Sequence, residues 1–189
     1  PFNAPRGSKR NPLSQQLRIV ANLMAGGCKT KVFLLRIGGF DTHAEQVEAY
    51  DPTMGHHAAL LYHITAAMHA FQEDLKLKGL EDRVMTITTS EFGRRIDSNG
   101  SYGTDHGTGA PIMIFGRGVQ PGVLGNVPDL SVGVNNIEMQ YDYRLIYANI
   151  LKDWMGSTDD ALNDTFPGIM SEAGTSDGQI FRPLPIANS

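Results

Sequence analysis

Two short segments hold the residue types that do chemistry. Gly38-Gly39-Phe40-Asp41-Thr42-His43 and Gly103-Thr104-Asp105-His106-Gly107 each place a carboxylate within two positions of an imidazole, flanked by glycine. Hard oxygen and borderline nitrogen donors held together are what a divalent ion binds. A third segment, Ser90-Glu91-Phe92-Gly93-Arg94-Arg95, adds one carboxylate and two guanidiniums. Asp41, Glu91 and Asp105 crowded at one place would repel one another, and a divalent cation would relieve that. The expected metal ligands are therefore Asp41, His43, Glu91, Asp105 and His106. Their mixed O and N donors suit Zn²⁺ or Mn²⁺ better than Ca²⁺ or Mg²⁺, which prefer oxygen shells. An arginine fork binds anionic oxygens. Glu91 and Arg94, with Arg95 adjacent, are accordingly the candidate catalytic side chains for hydrolysis of a phosphate or sulfate ester.

Taken singly, each segment has a plainer explanation. Asp41 would cap a helix starting near Thr42 with His43 solvated, Glu91 would pair with Arg94 or Arg95, and Asp105-His106 would be a hydrogen-bonded loop. The joint case rests on the elements that must position them. Residues 31–37 (KVFLLRI) and 83–89 (RVMTITT) are apolar runs bounded by turn signals, the pattern of strands buried on both faces. In an open α/β sheet, ligands bind beyond the carboxyl ends of the strands. Asp41-Thr42-His43 follows the first run and Ser90-Glu91 the second, so strand polarity brings both to one sheet edge. Asp105-His106 precedes a third run, 111–115, and reaches the same edge if that strand is antiparallel to the other two.

Helices complete the layer. Leu13, Leu17, Val20, Leu23 and Met24 recur at helical spacing over 13–25, and Gly26-Gly27 stops them. Leu60, Ile64, Met68, Phe71 and Leu75 mark one face of a helix over 56–78. A third helix over 142–155 is expected to bury Leu145, Ile146, Ile150 and Trp154, and Gly156 closes it. The order predicts an α/β domain over 13–156, with a mostly parallel sheet flanked by helices and strand 111–115 antiparallel. Residues 1–12 read as an irregular lead-in and 157–189 as a surface-wrapping tail.

The remaining features narrow the alternatives. A chain of 189 residues buries enough surface to need no staples. A net charge of −4 lacks the basic excess that nucleic acid demands. Cys28 is the only cysteine, so no intrachain disulfide forms, and its turn setting reads as structural. The longest apolar runs are far too short to cross a bilayer. Among the other histidines, His57 alone points with the apolar helix face as an extra ligand candidate. His69 is expected to be exposed, and His56 and His63 to lie at the border.

With Tyr141-Asp142-Tyr143-Arg144 and Trp154-Met155-Gly156, the three polar segments resemble, in this order, the bacterial domain of unknown function 1501 family, over about residues 13–156. That family is placed with the alkaline phosphatase/sulfatase superfamily. The resemblance implies an α/β sandwich, a metal-dependent ester hydrolase and an anionic small-molecule or polymer substrate. Asp41 and His43 resemble the Asp/His pair that holds one metal, and His106, ahead of Ala110-Pro111-Ile112, resembles the later His of that site. Glu91 stands where the superfamily has Asp in Thr-x-Asp-His, and Phe92 stands where it has His, so one metal site is supported. Full-length members are about twice this length. The resemblance therefore implies the C-terminal half of a larger domain, with the nucleophile on an N-terminal half. It also implies a periplasmic or cell-surface location. A non-catalytic exported binding or scaffold protein on a degenerate hydrolase fold is the second expectation.

Overall fold

The computed structural model describes residues 11–128, 130, 135–171, 174–175 and 181–187. Residues 1–10 of the expected lead-in lie outside that set. Two compact units divide the chain. One lies within Pro1–Arg117 and Val132–Ile137, the other within Gly118–Ser131 and Glu138–Ser189.

In the first unit, α1 (Pro12–Ala25) and α2 (His56–Leu77) pack together around the main core. Asn11 starts α1 by accepting hydrogen bonds from Leu13 N and Ser14 N, with Pro12 at the first helical position. The same side chain donates to His63 O at 2.7 Å and ties the start of α1 to α2. Leu13, Leu17, Val20 and Ala21 of α1 meet Ile64, Ala67, Met68, Phe71 and Leu75 of α2, with Leu80 beyond it. Leu23 instead points outward, 45% exposed, while its neighbour Met24 packs inward. His69 is exposed, as its position opposite the apolar face requires. Gly55 precedes α2 at φ +131°, where a Cβ would lie 2.5 Å from Gln46 O, so only glycine fits.

The sheets are small and antiparallel: β1 (Thr86–Ile87) pairs with β4 (Ile114–Phe115), and β2 (Gly93–Ser98) pairs with β3 (Thr104–Gly107). The architecture is mixed α/β, and the expected parallel sheet is absent among the described residues. The antiparallel run of strand 111–115 against 83–89 is as expected. The run 31–37 is the main correction. It packs Phe33, Leu35 and Ile37 on the helix-pair core but leaves Val32 70% and Leu34 89% exposed. Among the described residues it forms no strand pairing. A side chain takes the place of a neighbouring strand at Arg36: Gln16 donates to Arg36 O and accepts from Arg36 N. Without a neighbouring strand, alternation lets only one face of a run reach a core.

In the second unit, α3 (Tyr143–Asn149) passes into a π-helical stretch, Ile150–Trp154, and Gly156 at φ +72° ends it. Leu145 and Ala148 are buried, while Ile146, Ile150 and Trp154 are half-buried. After it, α4 (Asp159–Thr165) is capped by Thr158. Ala148, Leu162 and Ile169 make the core, with Phe166 and Phe181 against it. Asn149 is fully buried, and its amide is satisfied by Leu145 O, Arg182 O and Leu184 N. No described helix is long and apolar enough to cross a membrane.

Candidate metal centre

The site is built from the loop after residue 37 and the β2–β3 hairpin. The loop is held first. Buried Thr42 donates its hydroxyl to Gln46 Oε1 at 2.8 Å, and Thr104 at the start of β3 donates to the same oxygen at 2.8 Å. Thr104 N reaches Thr42 O at 3.3 Å. This stitching brings residue 103 against His43: a Cβ there would sit 2.4 Å from the His43 carbonyl carbon and oxygen. Gly103 is thus what permits the two segments to touch.

The hairpin then presents its side chains. Arg94 stands opposite His106 in the register, so both side chains point to the same face. Arg94 donates from Nη1 to Thr104 O at 2.7 Å and from Nη2 to Phe40 O at 2.5 Å and Asp41 Oδ1 at 2.9 Å. One guanidinium therefore fastens the 40–41 loop to β3. Asn99 in the hairpin turn accepts from Ser101 N and Gly103 N, and donates to His43 O at 2.8 Å and Asp105 Oδ1 at 3.3 Å.

Around that frame, Asp41 Oδ1 lies 3.0 Å from His43 Nε2 and 2.8 Å from His106 Nε2. One ligand atom from each of Asp41, His43 and His106 falls within 4.8 Å of the others, so the three form a group able to hold a metal ion. An ion bonded at about 2.0–2.2 Å keeps its donors roughly 3–4 Å apart, the scale of these separations. The donor chemistry fits too. His43 Nδ1 lies 3.3 Å from Asp105 Oδ1. A carboxylate there favours the tautomer protonated on Nδ1 and leaves the Nε2 lone pair directed at Asp41. Two lone pairs 3.0 Å apart repel until a proton or a cation comes between them. Phe92 stacks on the His106 ring at 3.9 Å and 12°, which fixes that imidazole's plane. The three side chains of the group are each about half exposed, so one side stays open to solvent.

The electrostatics agree. The His106 hydrogen bond, followed by the charges of His43 and the Arg94 contact, holds Asp41 below the usual carboxylate range. The Asn99 and His43 hydrogen bonds do the same for Asp105, with Arg95 adding its charge from 3.9 Å.

Of the expected ligands, Asp41, His43 and His106 come together, and Asp105 stands behind His43 rather than in the group. Glu91 is exposed and outside the group. It falls before β2, so the hairpin carries Arg94 toward Asp41 while Glu91 stays outside. His57 is also not in the group; it meets Phe40 edge to face at 5.9 Å, and burial, then the Arg94 charge, pushes its pKa down. Gln46 and Asn99 went unrecognised in the sequence. Asn99-Gly100 is a turn signal that would have marked the hairpin, whereas Gln46 gives no local signal. The profile of the family described as "Protein of unknown function (DUF1501)" matches residues 5–177. The chain belongs to this family. Its matched span contains both units' described helices and every residue of the metal group. No curated protein and no solved structure matches the chain.

Proposed function

We propose that the site serves a metal-dependent hydrolase of phosphate or sulfate esters, a DUF1501 protein of the alkaline phosphatase/sulfatase kind. The observation that carries this reading is the meeting of one carboxylate and two imidazoles within 4.8 Å on half-exposed loops, with two arginines beside them. Zn²⁺ or Mn²⁺ bound there would polarise an ester oxygen as a Lewis acid. The chain's own residues do the rest. Asp41, His43 and His106 hold the ion. Asp105 and Asn99 orient His43, and Phe92 orients His106. Arg95, 46% exposed and only loosely paired with Asp105, is available to an anionic ester oxygen. Arg94 is occupied by Phe40, Asp41 and Thr104, so its role is to fasten the loops. Thr42 and Thr104, the hydroxyls adjoining the ligands, both donate to Gln46, so the reading takes its nucleophile from elsewhere in the protein. Export to the periplasm or cell surface belongs to the same proposal.

Metal analysis tests the first step. Purified protein is expected to hold zinc or manganese, and Asp41→Ala and His106→Ala to lose it; wild-type protein free of both after exposure to them would end the reading. Turnover of aryl phosphates or sulfates by the full-length protein tests the second. The committed hydroxyls favour one alternative, a non-catalytic exported protein that binds anions through the same centre. Metal uptake with anion binding and no turnover would select it.

A further inference from the structure

We propose that the Arg94 guanidinium is the permanent second cation of a one-metal centre. The inference rests on the metal reading above and concerns what stands beside the ion. Asp41 Oδ1 receives three nitrogens: His43 Nε2 at 3.0 Å, His106 Nε2 at 2.8 Å and Arg94 Nη2 at 2.9 Å. Two of these are metal ligands. The third is a fixed positive charge one carboxylate oxygen away.

Four observations assign that place to Arg94. The guanidinium is anchored there by backbone acceptors, Phe40 O and Thr104 O, at 2.5 and 2.7 Å, so it is not a mobile surface arm. Its side chain is 19% exposed, against 55% for Asp41. Phe92 closes the adjoining flank: its ring covers His106 at 3.9 Å, and Arg94 Cζ stands 5.0 Å from its centroid. An apolar ring and a bound guanidinium fill the side where further donors would be needed. Finally, Asp41, His43 and His106 form the one group of three such donors among the described residues. Asp105 is engaged by His43 and Asn99, and Glu91 stands outside.

Charge points the same way. Asp41 and Asp105 are already matched by Arg94 and Arg95. One divalent ion leaves an excess that an anionic substrate can neutralise. A second would double that excess with no further carboxylate in the group to meet it.

Calorimetric and optical titration of metal-free protein with Co²⁺ tests this, since the visible bands of Co²⁺ report its ligand set. One equivalent per chain is expected. Two tightly bound equivalents would overturn the inference and leave the metal reading standing, whereas no uptake would remove the metal reading beneath it. Arg94→Gln keeps a donor but loses the charge. If Arg94 repels the ion as a neighbouring cation, this variant binds the single Co²⁺ about three- to tenfold tighter, with unchanged band positions. Arg94→Lys, which keeps the charge, stays within about twofold of wild type. A residue that only braced the loops would give the opposite sign. Equal or weaker binding by a folded Arg94→Gln, or equal tightening by Arg94→Lys, would therefore sink the proposal. If Arg94→Gln fails to fold, the wild-type stoichiometry still decides.

Discussion

Asp41 is the residue on which the site turns, because one of its oxygens faces two imidazoles and a guanidinium at 2.8–3.0 Å. Those donors stabilise the ionised carboxylate, so its folded pKa lies below the ordinary value of 3.8. The sign follows from linkage. A depressed carboxylate adds stability above the unfolded pKa and loses it as pH falls through the folded value. In metal-free protein the Asp41 contacts should therefore persist into acid below the usual carboxylate midpoint. Carboxyl ¹³C shifts followed by NMR measure this directly, and a midpoint at or above 3.8 would contradict the geometry. At this scale the sequence was legible where chemistry is local. Asp41, His43 and His106 were readable because ligand types are few and glycine flanks are distinctive. Glu91 stands outside the group for a physical reason: whether a carboxylate reaches a site depends on strand direction, which residue type does not encode.

At the scale of elements, the β2–β3 hairpin decides the site. Its two strands and the 40–43 loop approach so closely that residue 103 has no room for a Cβ. Gly103→Ala should cost about 1–3 kcal/mol by forcing the backbones apart, and should weaken metal binding at the same time. Urea unfolding and a metal titration on one preparation check both, and a variant with wild-type values in each would show that the loops need not touch. The helix pair makes a different prediction. Phe71 is 4% exposed in the α1/α2 core, and Phe71→Ala should lose about 3–5 kcal/mol of stability through the cavity it leaves. Denaturant midpoints at unchanged m measure that loss. Helix periodicity was readable because a buried stripe repeats every 3.6 residues whatever it packs on. The run 31–37 was not. Its apolar character is the same whether or not strands flank it, and pairing is a property of the neighbour.

Across the whole chain, the ligands and their supports all fall in one compact unit, and α3 and α4 belong to the other. A bound ion stabilises what it binds by mass action, about 2.7 kcal/mol at a hundredfold excess over Kd. Added Zn²⁺ or Mn²⁺ should thus slow amide exchange over residues 40–46 and 93–107 and leave 143–165 unchanged, with EDTA reversing the effect. Protection spread evenly over both units, or none at all, would refute a site confined to the first. The amino-acid sequence by itself determined which residues can act as donors, where α1, α2 and α3 lie and which family pattern they follow; α4, inside the expected tail, was not read. These depend on residue type and on periods of a few positions. Tertiary structure alone decided that Asp105 supports His43 instead of joining the group, that Arg94 fastens loops, and that Gln46 and Asn99 hold the frame. Those roles arise from contacts between residues as many as 62 positions apart, and which distant atoms meet is set by how the chain packs.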